Sequence, residues 1–318
     1  MSNKWISNNP ELLPDFIIGG AMKCATTTLH DILSSHPDVY IPRGECHFFD
    51  IDNILQHPNY NIYRNANWLM QSMNKNTDKM WEWNFNKFKK TESKIVGEDS
   101  TTYLASNIAA ERISMQKKEI KMIFILRQPS LRAYSNYLHI LKNSKAIYNF
   151  EDTIRYQPHK IITRSLYRDQ LKNYYNCFPS NKIKVILFED LIKEPDQVLK
   201  NLSTFLNIDY NFFDSLKFPK SHINKSYYPK YLNLCLAKNK ILNIQNKLYK
   251  TDLPTRLNRK NKFYVSIVQN LHKIINPLKS EPVPIKQSTK KFLDDYFYEQ
   301  LIGINELVGK DILSKWFN

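Results

Sequence analysis

The sequence predicts an α/β fold: a central parallel sheet covered by helices on both faces, with a helical segment near the C-terminus. Three observations predict it. Apolar runs at residues 15–22, 121–126 and 182–188 read DFIIGGAM, KMIFIL and KIKVILF without inside–outside alternation, as strands buried on both faces do. Amphipathic stretches of helical period separate them, which suits parallel strands joined by crossovers. Only 6 glycines, with no internal repeat and no Pro/Gly/Ser linker, argue against a solenoid or low-complexity chain, so residues 1–318 read as one domain.

In chain order, the run at 15–22 is the first strand. Leu29, Ile32 and Leu33 fall at helical spacing within 27–35, and His36-Pro37 ends that helix. Residues 39–41 form a short strand. The stretch 52–94 is polar, aromatic and irregular, with helices expected around 65–73 and 81–89. Residues 94–97 lead as a strand into 98–103, and 107–115 is helical. Lys121–Leu126 is the clearest strand in the chain, and Gln128-Pro129 opens a helix to about residue 142. A helix at 164–177, a strand at 182–188 and a helix at 197–206 follow. Residues 229–278 read as two basic helices within a basic segment, 229–285, and 290–301 and 306–313 complete the chain.

Lys and Arg total 46 against 30 Asp and Glu, a formal charge of +16, which favours anionic partners without choosing among nucleotides, nucleic acids and acidic surfaces. Any single lysine in the Lys/Asn-rich stretch 220–260 is by default a solvated surface residue. The four cysteines, Cys24, Cys46, Cys177 and Cys235, form neither a CxxC pair nor a zinc spacing, so no metal site and a reducing compartment are expected. The N-terminal residues lack a signal-peptide core, and no run of about 18 apolar residues exists to span a membrane. The expectation is a cytoplasmic protein. Heavy use of Asn, Lys and Ile suggests an AT-rich microbial, bacterial genome.

In parallel sheets, ligands bind at the carboxyl ends of strands, where helix N-termini point at them. The first strand delivers Gly19-Gly20-Ala21-Met22-Lys23-Cys24-Ala25-Thr26-Thr27-Thr28 to that position. Small residues let the backbone approach a phosphate, Lys23 adds charge, and the threonines add hydroxyls. An ordinary turn capped by threonine is the competing explanation. The loop is P-loop-like in position, yet it is not a Walker A sequence, in which Lys directly precedes Ser/Thr. It resembles the 5′-phosphosulfate loop of sulfotransferases that use 3′-phosphoadenosine-5′-phosphosulfate (PAPS). The usual Lys-x-Gly-Thr-Thr-x-Leu is matched by residues 23–29, with Ala25 in place of glycine, a change that demands an ordinary φ there.

Two further segments resemble the same family. Residues 121–137, KMIFILRQPSLRAYSNY, run strand, Arg-x-Pro, then Arg-x-x-Ser. The resemblance implies that Arg127 and Ser135 hold the 3′-phosphate. Residues 43–50, RGECHFFD, place a Glu and a His two apart, a plausible acid–base pair. They are similar to the Glu-x-His-Phe-Phe of polysaccharide-type sulfotransferases, which implies Glu45 as general base, His47 beside it, and Phe48 and Phe49 packing underneath. Phe48 is also counted with the acceptor-binding residues. Weaker resemblances at 165–171 and 221–230 imply nucleotide contacts from Tyr167, Lys225 and Ser226, and residues 293–307 are similar to the family's closing helices.

Heparan-type members carry a lysine where this chain has Asp99, within Glu98-Asp99-Ser100-Thr101-Thr102-Tyr103. That argues against an anionic acceptor and for a neutral sugar or cationic small molecule. The implied reaction is in-line sulfuryl transfer from PAPS to a carbohydrate or small-molecule acceptor, releasing PAP (3′-phosphoadenosine-5′-phosphate). Lys23 would stabilise the leaving phosphate, the loop 23–28 would cradle it, and no metal would be required. The alternatives are a P-loop kinase or NTPase, with VILFED at 185–190 as its Walker B strand, and a basic nucleic-acid-binding protein. The first lacks a Walker A sequence and the second any nucleic-acid-binding pattern. The acceptor and the oligomeric state are not legible.

Overall fold

The computed structural model describes residues 3–57, 62–64, 67–69, 76–88, 94–215, 228–245, 259–279 and 281–317. Along the chain come β1 (Phe16–Gly20), α1 (Thr26–Ser34), β2 (Val39–Tyr40), β3 (Ile62–Arg64), β4 (Asn67–Leu69), α2 (Thr77–Phe85) and β5 (Ile95–Asp99). Next are α3 (Ala109–Ser114), β6 (Lys121–Leu126), α4 (Pro129–Lys142), α5 (Phe150–Tyr156), α6 (Pro158–Ile161), α7 (Tyr167–Cys177) and β7 (Ile183–Leu187). The rest comprises α8 (Phe188–Lys193), α9 (Pro195–Leu206), α10 (Asn211–Ser215), β8 (Tyr228–Pro229), α11 (Leu232–Gln245), α12 (Arg259–Ile275), β9 (Leu278–Lys279), α13 (Gln287–Leu301), α14 (Ile304–Val308) and α15 (Leu313–Phe317).

The central sheet is five-stranded and parallel, in the order β2-β5-β1-β6-β7, with helices around it as the apolar runs predict. From β1 the chain crosses first to one side, to β2 and β5, and then to the other, to β6 and β7. The carboxyl end of β1 is therefore the switch point at which open parallel sheets leave a crevice. Phe16, Ile17, Ile18, Ile123, Phe124, Ile125 and Leu187 are fully buried, and removing one such side chain from water stabilises the fold by about 1.5–3 kcal/mol. Gly20 ends β1 with φ +144°, and a Cβ there would lie 2.9 Å from Leu104 Cβ. Only glycine lets the strand turn into the following loop against that neighbour.

A second core lies under α4. Tyr137, Leu138 and Leu141 pack with Ile161, Cys235, Leu293 and Phe297, which ties α11 and α13 to that helix. The helix expected at 65–73 is absent from its described part: β4 pairs antiparallel with β3, Ile62 opposite Leu69. Ile62, Tyr63 and Trp68 are strand formers, and no capping signal starts a helix there. The helix expected at 81–89 begins four residues earlier, where Asn76 caps it by accepting from Lys79 N–H at 3.0 Å. The strand expected to reach residue 188 stops at Leu187, because α8 starts directly on it.

Candidate active site

Residues 21–25 form the loop between β1 and α1. Ala21 N–H donates to Ile125 O at 2.8 Å, stitching the loop to β6, and Cys24 N–H donates to Ala21 O at 3.2 Å. The expectation of an ordinary φ at Ala25 is wrong: Ala25 has φ 71° and Lys23 φ 72°. Left-handed residues within a tight loop turn successive N–H groups inward, an anion-binding device that here carries side chains where glycine would relax it. Ala25, not a threonine, precedes the helix, and no side chain caps α1. Its first-turn N–H groups thus keep the open polarity of a helix start. Thr26 and Thr28 are buried and Thr27 is exposed. Cys24 is wholly buried, and burial pushes its thiol up to about 11, so it is an inert packing group.

Around this loop stand four cations, none of them in an ion pair among the described residues, although Asp50 and Glu45 lie close enough to act on Arg164. Lys23 is held below its ordinary pKa by burial and then by Arg127. Arg127, at the end of β6, stacks over Phe188 at 4.6 Å, and its buried Nε has no partner. Arg132 is fully buried on α4; Nε donates to Ser165 Oγ at 2.5 Å and Nη2 to Ile161 O, while Nη1 is unpartnered. Burial and then the Arg132 charge bring Arg164 down to about 10. It reaches Met22 Sδ at 2.7 Å and Gln56 Oε1 at 2.9 Å. Buried polar groups normally find partners, so orphaned guanidinium nitrogens facing like charges mark a place for a polyanion. Ser135 is half-buried on α4, three residues beyond Arg132 and so on the same helix face.

Tyr167 stands beneath the loop rather than at its mouth. It is wholly buried, its hydroxyl donates to Arg127 O at 3.0 Å and lies 3.8 Å from Cys24 Sγ. It braces the β1–α1 loop and the end of β6 against each other. Lys225 and Ser226 lie outside the described residues.

The segment carrying Glu45 is laid along the end of β5: Cys46 N–H donates to Asp99 O at 3.1 Å and His47 N–H to Ser100 Oγ at 2.8 Å. Glu45 Oε2 accepts from Thr101 Oγ1 at 2.8 Å and Thr101 N–H at 3.3 Å, and lies 2.8 Å from His47 Nε2. Burial would raise the Glu45 carboxyl, but His47 and Thr101 outweigh it, and the net shift is downward. His47 Nδ1 meets Thr102 Oγ1 at 2.9 Å; Thr102 Oγ1 lies 3.3 Å from His57 Nε2, which meets Asp50 Oδ1 at 2.8 Å. An Nε2–H tautomer of His47 donates to Glu45 and accepts from Thr102.

His47, Asp50 and His57 bring donor atoms within 4.8 Å of one another. A cation among them would have to displace the hydrogen bonds that already join them to Glu45, Thr102 and each other. Asp99 is nearly buried beside this string, its Oδ1 unpartnered and its Oδ2 3.5 Å from His30 Nδ1. Burial raises its carboxyl, and the charge of Glu45 raises it further. Phe48 does not reach an acceptor: it is fully buried between Trp81, Phe49 and Trp5, with ring centroids at 4.6, 5.1 and 5.6 Å. It forms the floor under Glu45 and His47.

Arg164, His57, Asp50 and Thr102 escaped the sequence reading as site residues. Only RGECHFFD ending in Asp50, and Arg164 preceding Ser165, hinted at two of them. The acidic pair of VILFED is engaged by other groups, unlike a Walker B pair. Glu189 accepts from Gln128 N–H and Trp316 Nε1, and Asp190 pairs with Lys315.

A parallel sheet with a cationic loop at its switch point, beside a carboxylate held below its ordinary pKa, defines a class: an α/β protein with an anion-binding crevice at the carboxyl end of its sheet. The model of the sulfotransferase domain matches residues 13–281, and the chain belongs to that family. It is 28% identical over 208 residues to heparan sulfate glucosamine 3-O-sulfotransferase 5 of Homo sapiens, covering 62% of this chain and 54% of that protein. The bifunctional heparan sulfate N-deacetylase/N-sulfotransferase 2 of Homo sapiens is 24% identical over 225 residues, covering 65% of this chain and 23% of that protein. The chain thus spans about half the length of the first curated relative and less of the second. The crystal structure of a sulfotransferase from Alicyclobacillus acidocaldarius shares the fold with a TM-score of 0.61 at 20% identity, covering 96% of this chain and 99% of that one.

Proposed function

We propose that this chain transfers a sulfuryl group from PAPS to a hydroxyl or amine of a carbohydrate or small-molecule acceptor. The observation that carries the reading is the group of cations outside any ion pair among the described residues, Lys23, Arg127, Arg132 and Arg164, next to the ionised Glu45. PAPS fits that donor set: two phosphate-bearing ends meet the two cationic segments that Tyr167 holds together. Lys23 and the loop 23–28 take the 5′-phosphosulfate, and Arg127 and Ser135 take the 3′-phosphate.

PAPS supplies the activated sulfuryl group. Glu45 Oε2 is engaged by His47 and Thr101, which leaves Oε1 to take the acceptor proton. As the acceptor oxygen or nitrogen bonds to sulfur, the bridging S–O bond breaks and its electron pair stays on the departing phosphate. Lys23 stabilises that charge. His47 keeps the carboxylate oriented, and Thr102, His57 and Asp50 keep His47 in the tautomer that does so.

The acceptor side carries Asp99 with an unpartnered oxygen, close to Glu45. Two neighbouring carboxyl groups repel a sulfated chain and suit a neutral sugar or a cationic amine, with 229–285 as part of the acceptor-binding region. The four unpaired cysteines support a reducing, cytoplasmic setting. PAP and 5′-AMP at equal concentration test the donor assignment. At a hundred times its Kd, PAP stabilises the folded state by about 2.7 kcal/mol, and 5′-AMP, which offers nothing to Arg127 and Ser135, shifts the melting temperature much less. Equal shifts overturn the 3′-phosphate assignment.

A further inference from the structure

We propose that α12 is a surface-docking helix that seats this protein on an anionic lipid bilayer. Over residues 263–275 its side chains divide into three sectors when projected at about 100° per residue. Val265, Val268 and His272, half-buried, face inward toward α11. Lys273, Gln269, Ser266 and Asn270 form a polar flank. Between these sectors, Phe263, Ile274, Ile267, Leu271, Tyr264 and Ile275 form an apolar stripe about 120° wide. Phe263 is 72% exposed, Leu271 58%, Ile274 77% and Ile275 59%. Single exposed apolar residues are ordinary, whereas a contiguous stripe on one helix marks a surface made to be covered.

Charge selects what covers it. Residues 228–280 hold nine Lys and two Arg against one Asp, a net +10 of the chain's +16. A second copy packed stripe to stripe would bring two such charges together. A bilayer with anionic headgroups accepts the apolar stripe into its acyl boundary and the exposed Lys273 and Lys279 among its phosphates. At 17 residues α12 is too short to cross, and among the described residues no helix is long and apolar enough to do so, so it lies in the interface plane. The seat is fixed to the catalytic body: Asn239 Nδ2 donates to Leu141 O at 2.8 Å and Ala146 O at 2.7 Å, clamping α11 to the end of the helix that carries Arg132 and Ser135.

The test is co-sedimentation of the full chain with vesicles of phosphatidylcholine alone or mixed with phosphatidylglycerol. Binding to the anionic vesicles, weakening with salt, is expected. Leu271→Glu combined with Ile274→Glu should lower the partition coefficient by more than about tenfold, because both side chains leave the acyl boundary. Lys273→Glu with Lys279→Glu should weaken it while leaving the stripe intact. An unchanged PAP-induced thermal shift certifies that each variant is folded. The proposal is overturned by absence of binding to anionic vesicles at low salt, by equal binding to phosphatidylcholine, by retention in the double glutamate variant, or by a concentration-dependent dimer that this variant abolishes.

Discussion

Glu45→Gln isolates the proton-transfer step from nucleotide binding. The amide keeps the side chain's length and one acceptor oxygen for Thr101, whose hydroxyl and N–H reach Glu45 Oε2 at 2.8 and 3.3 Å. What it loses is a site for the acceptor proton and the charge that holds His47 Nε2 at 2.8 Å. The carboxylate is about one-third exposed, so the charge contributes little to stability, and unfolding should shift by less than about 1 kcal/mol. A general base contributes about 10²–10⁴ in rate, or about 2.7–5.5 kcal/mol of barrier. The loss should fall on kcat with a hydroxyl acceptor, while the PAP Kd, which the proposed function assigns to Lys23, Arg127 and Ser135, stays within about twofold. Because His47 and Thr101 hold the Glu45 carboxyl below its ordinary value, the wild type is ionised throughout neutral pH. A depressed carboxylate is active above its folded pKa, so its acid limb in kcat/KM should fall below the ordinary carboxylate range. Stopped turnover assays by mass spectrometry and calorimetric PAP titration measure both quantities. If Glu45→Gln keeps kcat within threefold while His47→Ala abolishes turnover, the base is His47 and the reasoning fails.

Two further predictions concern Lys23. Lys23→Ala should lower kcat by on the order of 10²-fold, as loss of an electrostatic stabiliser does, with an unfolding midpoint that does not fall; near-wild-type turnover at saturating PAPS would remove Lys23 from the reaction. Its ammonium is held below 10.5 by burial and Arg127, so between the lowered value and 10.5 the unfolded state binds more protons and stability rises with pH. A bound polyanion restores that proton, so PAP binding at about pH 9.5 should take up protons and weaken as pH rises, a linkage that titration calorimetry in two buffers detects and a Lys23→Met variant should lack.

Much of the fold was legible because strands buried on both faces write themselves as unbroken apolar runs, and β1, β6 and β7 all do. The loop was legible for a related reason: strand, small residues, Lys and hydroxyls occur in one contiguous stretch. What stayed hidden depends on tertiary contact. His57 lies ten residues from His47 in sequence, and only the turn that buries Phe48 and Phe49 brings the two imidazoles to 4.7 Å, tilted at 55°. Arg164 reads as a helix-start arginine until Met22 is seen against it. Phe48 lies next to His47 in the chain, yet it points into the core, and no periodicity marks that direction in an irregular segment. Ala25 shows the reverse error: a residue type that prefers negative φ occupies a left-handed position because the loop's closure onto β6 and α1 decides its backbone.

On the proposed function, Arg132 is placed for a ligand rather than for stability. A guanidinium withdrawn from water normally requires a carboxylate, and truncating one partner of such a pair leaves an uncompensated charge that destabilises strongly. Arg132 has instead a hydroxyl and a carbonyl, with Nη1 unpartnered and Arg127 and Arg164 as neighbours of the same sign. A neutral residue of similar volume would fill the space under α4 without that burden, if folding were the only requirement. The cation makes sense if the field it adds beneath Lys23 and Arg127 is balanced when a polyanion enters above them. The same field that opposes folding of the empty protein then strengthens binding, and Ser165 and Ile161 are the anchors that keep the charge from swinging out to water.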